Sequence, residues 1–233
     1  MFMYRRLPVT GGLLAVALLS ASGAAPADTP GGGHGHAAAQ AEMSVPPAAD
    51  PHARHRMQTK RAPSATASTH IDLSDAELVT QDQATVKLKS ELLGDKVVVM
   101  NFVYTSCTTV CPVLSAIFSQ VQERLGERLG NDVVLVSISV DPMRDTPDRL
   151  KAYAAKHQAA NGWTWLTGHK PVVDGVLQEL GVYTANFEDH PSMVLVGSAA
   201  TGQWSRFLGF PNSDDIVAKV EELLANPDVA STH

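Results

Sequence analysis

The chain has 233 residues, with 18 lysines and arginines against 24 aspartates and glutamates, a formal charge of −6. An acidic balance without a cluster of arginine or lysine makes a poor binder of polyanions, so nucleic-acid work is excluded. The only two cysteines, Cys107 and Cys111, stand four residues apart, where a disulfide would close almost no loop and stabilise little.

Residues 1–27, MFMYRRLPVTGGLLAVALLSASGAAPA, place Arg5 and Arg6 before an apolar run from Val9 to Leu19 and then small residues. That is the three-part pattern of a secretory signal, with cleavage expected after Ala27 or near Ala24. The run is shorter than the about 20 residues that a bilayer span requires, so removal is expected in preference to an anchor that keeps the chain at the membrane. Removal takes away Arg5 and Arg6 and no acid, moving the charge from −6 to −8. The mature protein is thus expected to be exported, to a bacterial periplasm or a membrane-tethered position facing it, where thiols meet oxidising conditions.

Residues 28–70 are rich in Ala, Gly, Pro, Ser and Thr and hold few large apolar side chains beyond Met43, Val45 and Met57. Such a segment buries too little to offset its ordering entropy and reads as a disordered linker. It carries His34, His36, His52, His55 and His70, five of the nine histidines. Their irregular spacing favours a polar tether over loose metal capture.

Residues 71–227 form one domain, of ordinary size for a single core, and 228–233 a tail. ATVKL (84–88) alternates like a short strand. VVVMNFV (97–103) and VVLVSISV (133–140) are unbroken apolar runs, as in strands covered on both faces. Between them Val110, Leu114, Ile117, Phe118, Val121 and Leu125 repeat at helical spacing, and Gly126 or Gly130 can end the helix. A helix over 147–158 opens at Pro147. WTWL (163–166) is a short strand, and 171–180 is a helix that again opens at a proline. MVLVG (193–197) and QWSRFLG (203–209) form a hairpin through Ser198–Gly202, and 213–225 is a last amphipathic helix. This order predicts an α/β sandwich with a mixed central sheet flanked by helices. The cysteines then lie at the carboxyl end of a central strand, where open α/β sheets place their sites.

Pro112 has no N–H and so belongs in the first turn of its helix, which therefore begins near Thr108–Val110. Cys111 falls in that turn and Cys107 just before it, where free amides and the helix dipole are expected to lower thiol pKa values. The two sulfurs can meet each other or meet around one ion. Two soft sulfurs select Cu(I), zinc or a similarly thiophilic ion but are too few for a closed four-ligand zinc site. A third ligand has to come from elsewhere. His157 at a helix end and His169 in a loop read as surface residues. His190, in NFEDHPSMVLV, sits in a loop running into a strand beside the one that leads to Cys107, and imidazole suits copper.

NFVYTS with CTTVCP, SISVDPMRDTP (137–147), WTWLTG (163–168) and EDHPSMVLVG (188–197), in this order, resemble the SCO/SenC family. The resemblance covers about residues 71–225. It implies a thioredoxin-like fold, copper as Cu(I) or Cu(II), and a role in assembling the copper site of cytochrome c oxidase. It also implies Cys107, Cys111 and His190 as the metal ligands. Asp141 matches a recurrent acidic position of the family, but a turn or helix-cap role is the one expected of it. Many members carry Cys-Pro-Asp where this chain has Thr108-Thr109-Val110, and their hairpin turns on Asp-Gly where this one has Ala-Ala-Thr-Gly. Pro191 stands where thioredoxins have a cis proline beside their dithiol, and a trans bond there would point to metal delivery.

Three classes of function follow. The first is a metallochaperone that hands copper to the copper-site subunit of an exported oxidase, with a thioredoxin-like reductant keeping its thiols reduced. The second is a thiol-disulfide oxidoreductase in which Cys107 and Cys111 attack and resolve, although such enzymes mostly have two intervening residues and not three. The third, a peroxiredoxin-type peroxidase, has Thr108 at minus three from Cys111 but Tyr104 where its motif needs proline.

Overall fold

A computed structural model describes residues 66–226. The expected signal, the tail 228–233 and the linker up to Ala65 lie outside the described residues. The elements in chain order are β1 (Thr66–His70), β2 (Glu77–Thr80), β3 (Thr85–Lys87), β4 (Val97–Val103), α1 (Val110–Leu125) and β5 (Val133–Ser139). They continue with α2 (Pro147–Lys156), β6 (Trp163–Thr167), α3 (Lys170–Glu179), β7 (Met193–Ser198), β8 (Gln203–Leu208) and α4 (Ser213–Ala225).

The eight strands among the described residues form one sheet in the order β1-β8-β7-β4-β5-β6-β2-β3. β4, β5 and β6 are parallel neighbours, and every other pairing is antiparallel. The expected mixed α/β sandwich is therefore present. All seven residues of β4 and all seven of β5 are buried, as their unbroken apolar runs require. Each fully buried valine, leucine or phenylalanine contributes about 1.5–3 kcal/mol relative to exposure. Val98, Met100 and Phe102 pack toward α3, while Val97, Val99 and Val103 pack toward α1, α2 and α4.

The helices end where local chemistry stops them. α1 buries Cys111, Leu114, Ser115, Phe118, Val121 and Leu125 and closes on Gly126 at φ 53°. The Thr146 hydroxyl caps α2 by accepting from the Arg149 N–H, with Pro147 in the first turn. Asn212 caps α4 in the same way, accepting from the Asp214 N–H at 3.1 Å.

Two strands depart from the sequence expectation. β1 lies within the stretch assigned to the linker, and Thr66–His70 pairs residue for residue with Phe207–Gln203 of β8. Its composition, TASTH, has no apolar run, so the pairing edge of β8 and not local propensity makes it a strand. β2 forms between β3 and β6 over only four residues. The expected strand 84–88 stops at Lys87, where a helical turn over Leu88–Leu93 buries Leu88 and Leu93.

Candidate metal and thiol centre

β4 ends at Val103 and the chain turns at once, the Cys107 N–H donating to the Tyr104 carbonyl at 3.1 Å. The Cys111 amide, in the first turn of α1, donates to Cys107 Sγ at 3.3 Å. One sulfur thus takes an amide that the helix leaves without an internal partner, at the end of the dipole that favours negative charge. Both cysteines are free thiols, Cys107 at 7% exposure and Cys111 at 0%.

The expectation that the helix start lowers both thiols holds for one of them. Burial works to raise Cys107, but the Cys111 thiol and amide, the Thr109 amide and the Tyr104 hydroxyl outweigh it and bring it down to about 7. Burial, followed by its interaction with the Cys107 sulfur, pushes Cys111 up to about 12. Cys111 shares the inward face of α1 with Leu114 and Phe118, and the one amide that favours its thiolate, that of Tyr104, is outweighed by this burial. Burial, with the Cys107 sulfur beside it, also pushes Tyr104 up to about 12.

His190 closes a short turn over Phe187–Asp189 that leads into β7, the antiparallel neighbour of β4. The predicted loop therefore lies beside the strand that carries the dithiol. A carbonyl can only accept, so the 2.7 Å contact between His190 Nδ1 and the Phe187 oxygen fixes the proton on Nδ1. Nε2 is left with its lone pair, buried and without a partner. The ring meets Tyr104 edge-on at 5.8 Å, and Tyr104 meets Phe187 at 5.1 Å. Tyr104 links the histidine to Cys107.

Among the described residues, no three His, Cys, Asp or Glu side chains stand close enough together to hold a metal ion. The structure joins Cys107 to Cys111 and sets His190 on the adjoining loop against Tyr104, short of a three-ligand cluster. The described peptide bonds contain no cis bond, so His190–Pro191 is trans. Asp141 takes the turn role: its carbonyl accepts from Arg144 and Asp145, and its carboxylate pairs with Arg144 at 3.1 Å. His169 is exposed as expected. His157 is half-buried, its ring 4.9 Å from Tyr153, and burial pulls its pKa down.

Sequence reasoning weighed Tyr104 only against the peroxidase motif and did not count it or Asp145 among the site residues. Asp145 is 1% exposed and receives Thr105 N–H at 3.1 Å, Thr105 Oγ1 at 2.6 Å and Ser139 Oγ at 2.6 Å. Both residues stand in motifs already singled out, NFVYTSC and SISVDPMRDTP, but neither residue type announces a site.

A mixed sheet with a dithiol at the head of the helix after a central strand is the thioredoxin-like arrangement. The SCO1/SenC family model matches residues 68–225, and the chain belongs to that family. The solved SCO1/SenC family lipoprotein from Bacillus anthracis str. Ames is similar at TM-score 0.59 and 26% identity, over 67% of this chain and 97% of that one. BsSco, a member of the Sco family of cytochrome c oxidase assembly proteins in which a disulfide switch was identified, gives 0.57 and 26%, over 67% and 95%. ScoI of Bradyrhizobium japonicum, solved with copper bound, gives 0.53 and 25%, over 64% and 97%. A SCO1 protein homolog of Bacillus subtilis is 37% identical over 90 residues, 38% of this chain and 45% of its own length. The chain spans about half the length of the curated relatives it matches. No helix among the described residues is long and apolar enough to cross a membrane.

Proposed function

We propose that the protein is an exported copper metallochaperone, released or tethered after use of residues 1–27 as a signal. It holds copper through Cys107, Cys111 and His190 and passes it to the copper-site subunit of a cytochrome c oxidase. The observation that carries this reading is the His190 ring, whose Nε2 lone pair is buried, unpartnered and fixed in its tautomer by Phe187. A buried acceptor without a partner is costly unless something fills it, and imidazole with two thiolates is a donor set that suits copper. The copper-bound ScoI and the oxidase assembly role of BsSco support the same cargo and recipient. The trans His190–Pro191 bond also favours delivery of metal.

The test is copper titration of reduced mature protein beside Cys107→Ser, Cys111→Ser and His190→Ala. One copper per chain is expected, with a thiolate-to-copper charge-transfer band for Cu(II) that either serine abolishes. His190→Ala should weaken Cu(II) far more than Cu(I), because two thiolates satisfy Cu(I) while Cu(II) wants nitrogen or oxygen donors. Full copper loading in the double serine variant would move the site to the linker histidines.

The asymmetry of the two thiols supports a second activity, thiol-disulfide exchange with exported partners, and BsSco has a disulfide switch. The Cys107 thiolate attacks a partner disulfide and releases one partner thiolate, which takes up a proton. Cys111 then loses its proton and attacks Cys107 Sγ, releasing the second partner sulfur as a thiol. The partner gains two electrons, the chain gains a Cys107–Cys111 disulfide, and a thioredoxin-like reductant restores it. The same reductant keeps the thiols ready for copper.

A further inference from the structure

Among the described residues, a buried carboxylate beside the dithiol has no counter-ion. Asp145 is 1% exposed, and no described lysine, arginine or histidine pairs with it; Arg144, its sequence neighbour, pairs with Asp141 instead. Three donors converge on its carboxylate: the Thr105 N–H, the Thr105 hydroxyl and the Ser139 hydroxyl. Ser139 Oγ in turn accepts from the Asp141 N–H at 3.1 Å, which directs its own proton to Asp145. These bonds tie the loop of Cys107 to the end of β5, since Thr105 stands two residues before Cys107. A buried carboxylate held by neutral donors alone is expensive, and apolar packing or a cationic partner would cost less. Its place is set by geometry: through Thr105 the carboxylate is fixed two residues from the Cys107 sulfur.

Resting on the copper reading above, we propose that Asp145 is the positioning residue of the centre, fixing the Cys107 loop through Thr105 while its charge biases the dithiol toward Cu(II) over Cu(I). A fixed anion stabilises a doubly charged ion more than a singly charged one. At the effective dielectric of a protein site, about 20, one added charge about 10 Å away is worth on the order of tenfold in affinity. Asp141 cannot supply this bias, because Arg144 neutralises it.

The experiment measures Cu(I) and Cu(II) affinities by chelator competition on the mature chain and on D145N, T105V and S139A. D145N keeps the shape and removes the charge, so Cu(II) affinity should fall on the order of tenfold more than Cu(I) affinity. T105V and S139A each remove a donor and keep the charge, so the ratio of the two affinities should stay as in wild type. An unchanged ratio in D145N overturns the proposal. So does a shift of that size in T105V or S139A, which stands even where D145N fails to fold. If wild type binds no copper, the chaperone reading falls by itself. The charge is then tested on the metal-free dithiol, whose reduced form carries the thiolate. D145N should raise its midpoint potential, and an unmoved potential overturns the role of the charge.

Discussion

The two sulfurs, one helical turn apart, are held in opposite ways. Cys107 receives the Cys111 amide, while Cys111 faces the core with Leu114 and Phe118. Cys107, at about 7, gains its thiolate as pH rises through neutrality, and Cys111, at about 12, stays protonated there. Alkylation of the reduced native protein should therefore stop at one site. Cys107 reactivity should climb between roughly pH 6 and 8 and then level off, because only the thiolate reacts. Peptide mass spectrometry checks this, and equal labelling of both cysteines at pH 7 would contradict the asymmetric site. The dithiol and His190 stood out in the sequence as candidates because cysteine is scarce in this chain and because His190 runs straight into a strand. Cys111's shift did not, since spacing gives the turn of a helix but not how deep one face of it lies. Tyr104 and Asp145 act through contacts with residues 3 and 40 positions away, Cys107 and Thr105, and only the folded chain brings the latter pair together.

Among the elements, those with long apolar or helical patterns were readable to within a residue or two. VVVMNFV became β4, and the expected last helix is α4 over Ser213–Ala225. β1 and β2 were not, because five or fewer residues without an apolar run become strands only when a partner edge is present. The domain boundary expected at residue 71 accordingly cuts β1 away. A protein beginning at Ile71 would leave Gln203–Phe207 of β8 with an open edge. Its melting temperature should be several degrees below that of a protein beginning at Thr66, at roughly 2–4 °C per kcal/mol for a domain of this size. Calorimetry on the two truncations decides it, and identical melts would mean that β1 contributes nothing to the fold.

For the molecule as a whole, alternation of strand and helix was enough to predict a mixed sandwich, and the three parallel strands follow from it. The placing of β7 against β4 sets the His190 loop beside the strand that leads to the dithiol, with the ring against Tyr104. The far end of the sheet is fixed by backbone contact. Gly162, at φ 94°, packs on Gly130, and a Cβ there would come within 2.6 Å of the Gly130 nitrogen and 2.8 Å of Leu129 Cγ. Gly162→Ala should cost on the order of 2 kcal/mol, about 4–8 °C in melting temperature, and leave thiol reactivity unchanged. A melt equal to wild type would show that the two loops can separate freely. The sheet order also sorts its strands by their tendency to self-associate. VVVMNFV and VVLVSIS are uncharged, β-branched and free of proline, the composition from which amyloid spines form, while the outermost strands are TASTH and TVK. Short polar borders seed little fibril growth. Loss of either border uncovers β8 or β2 first, so the loops of the dithiol hang from two segments that stay out of reach of a neighbouring molecule until the sheet itself comes apart.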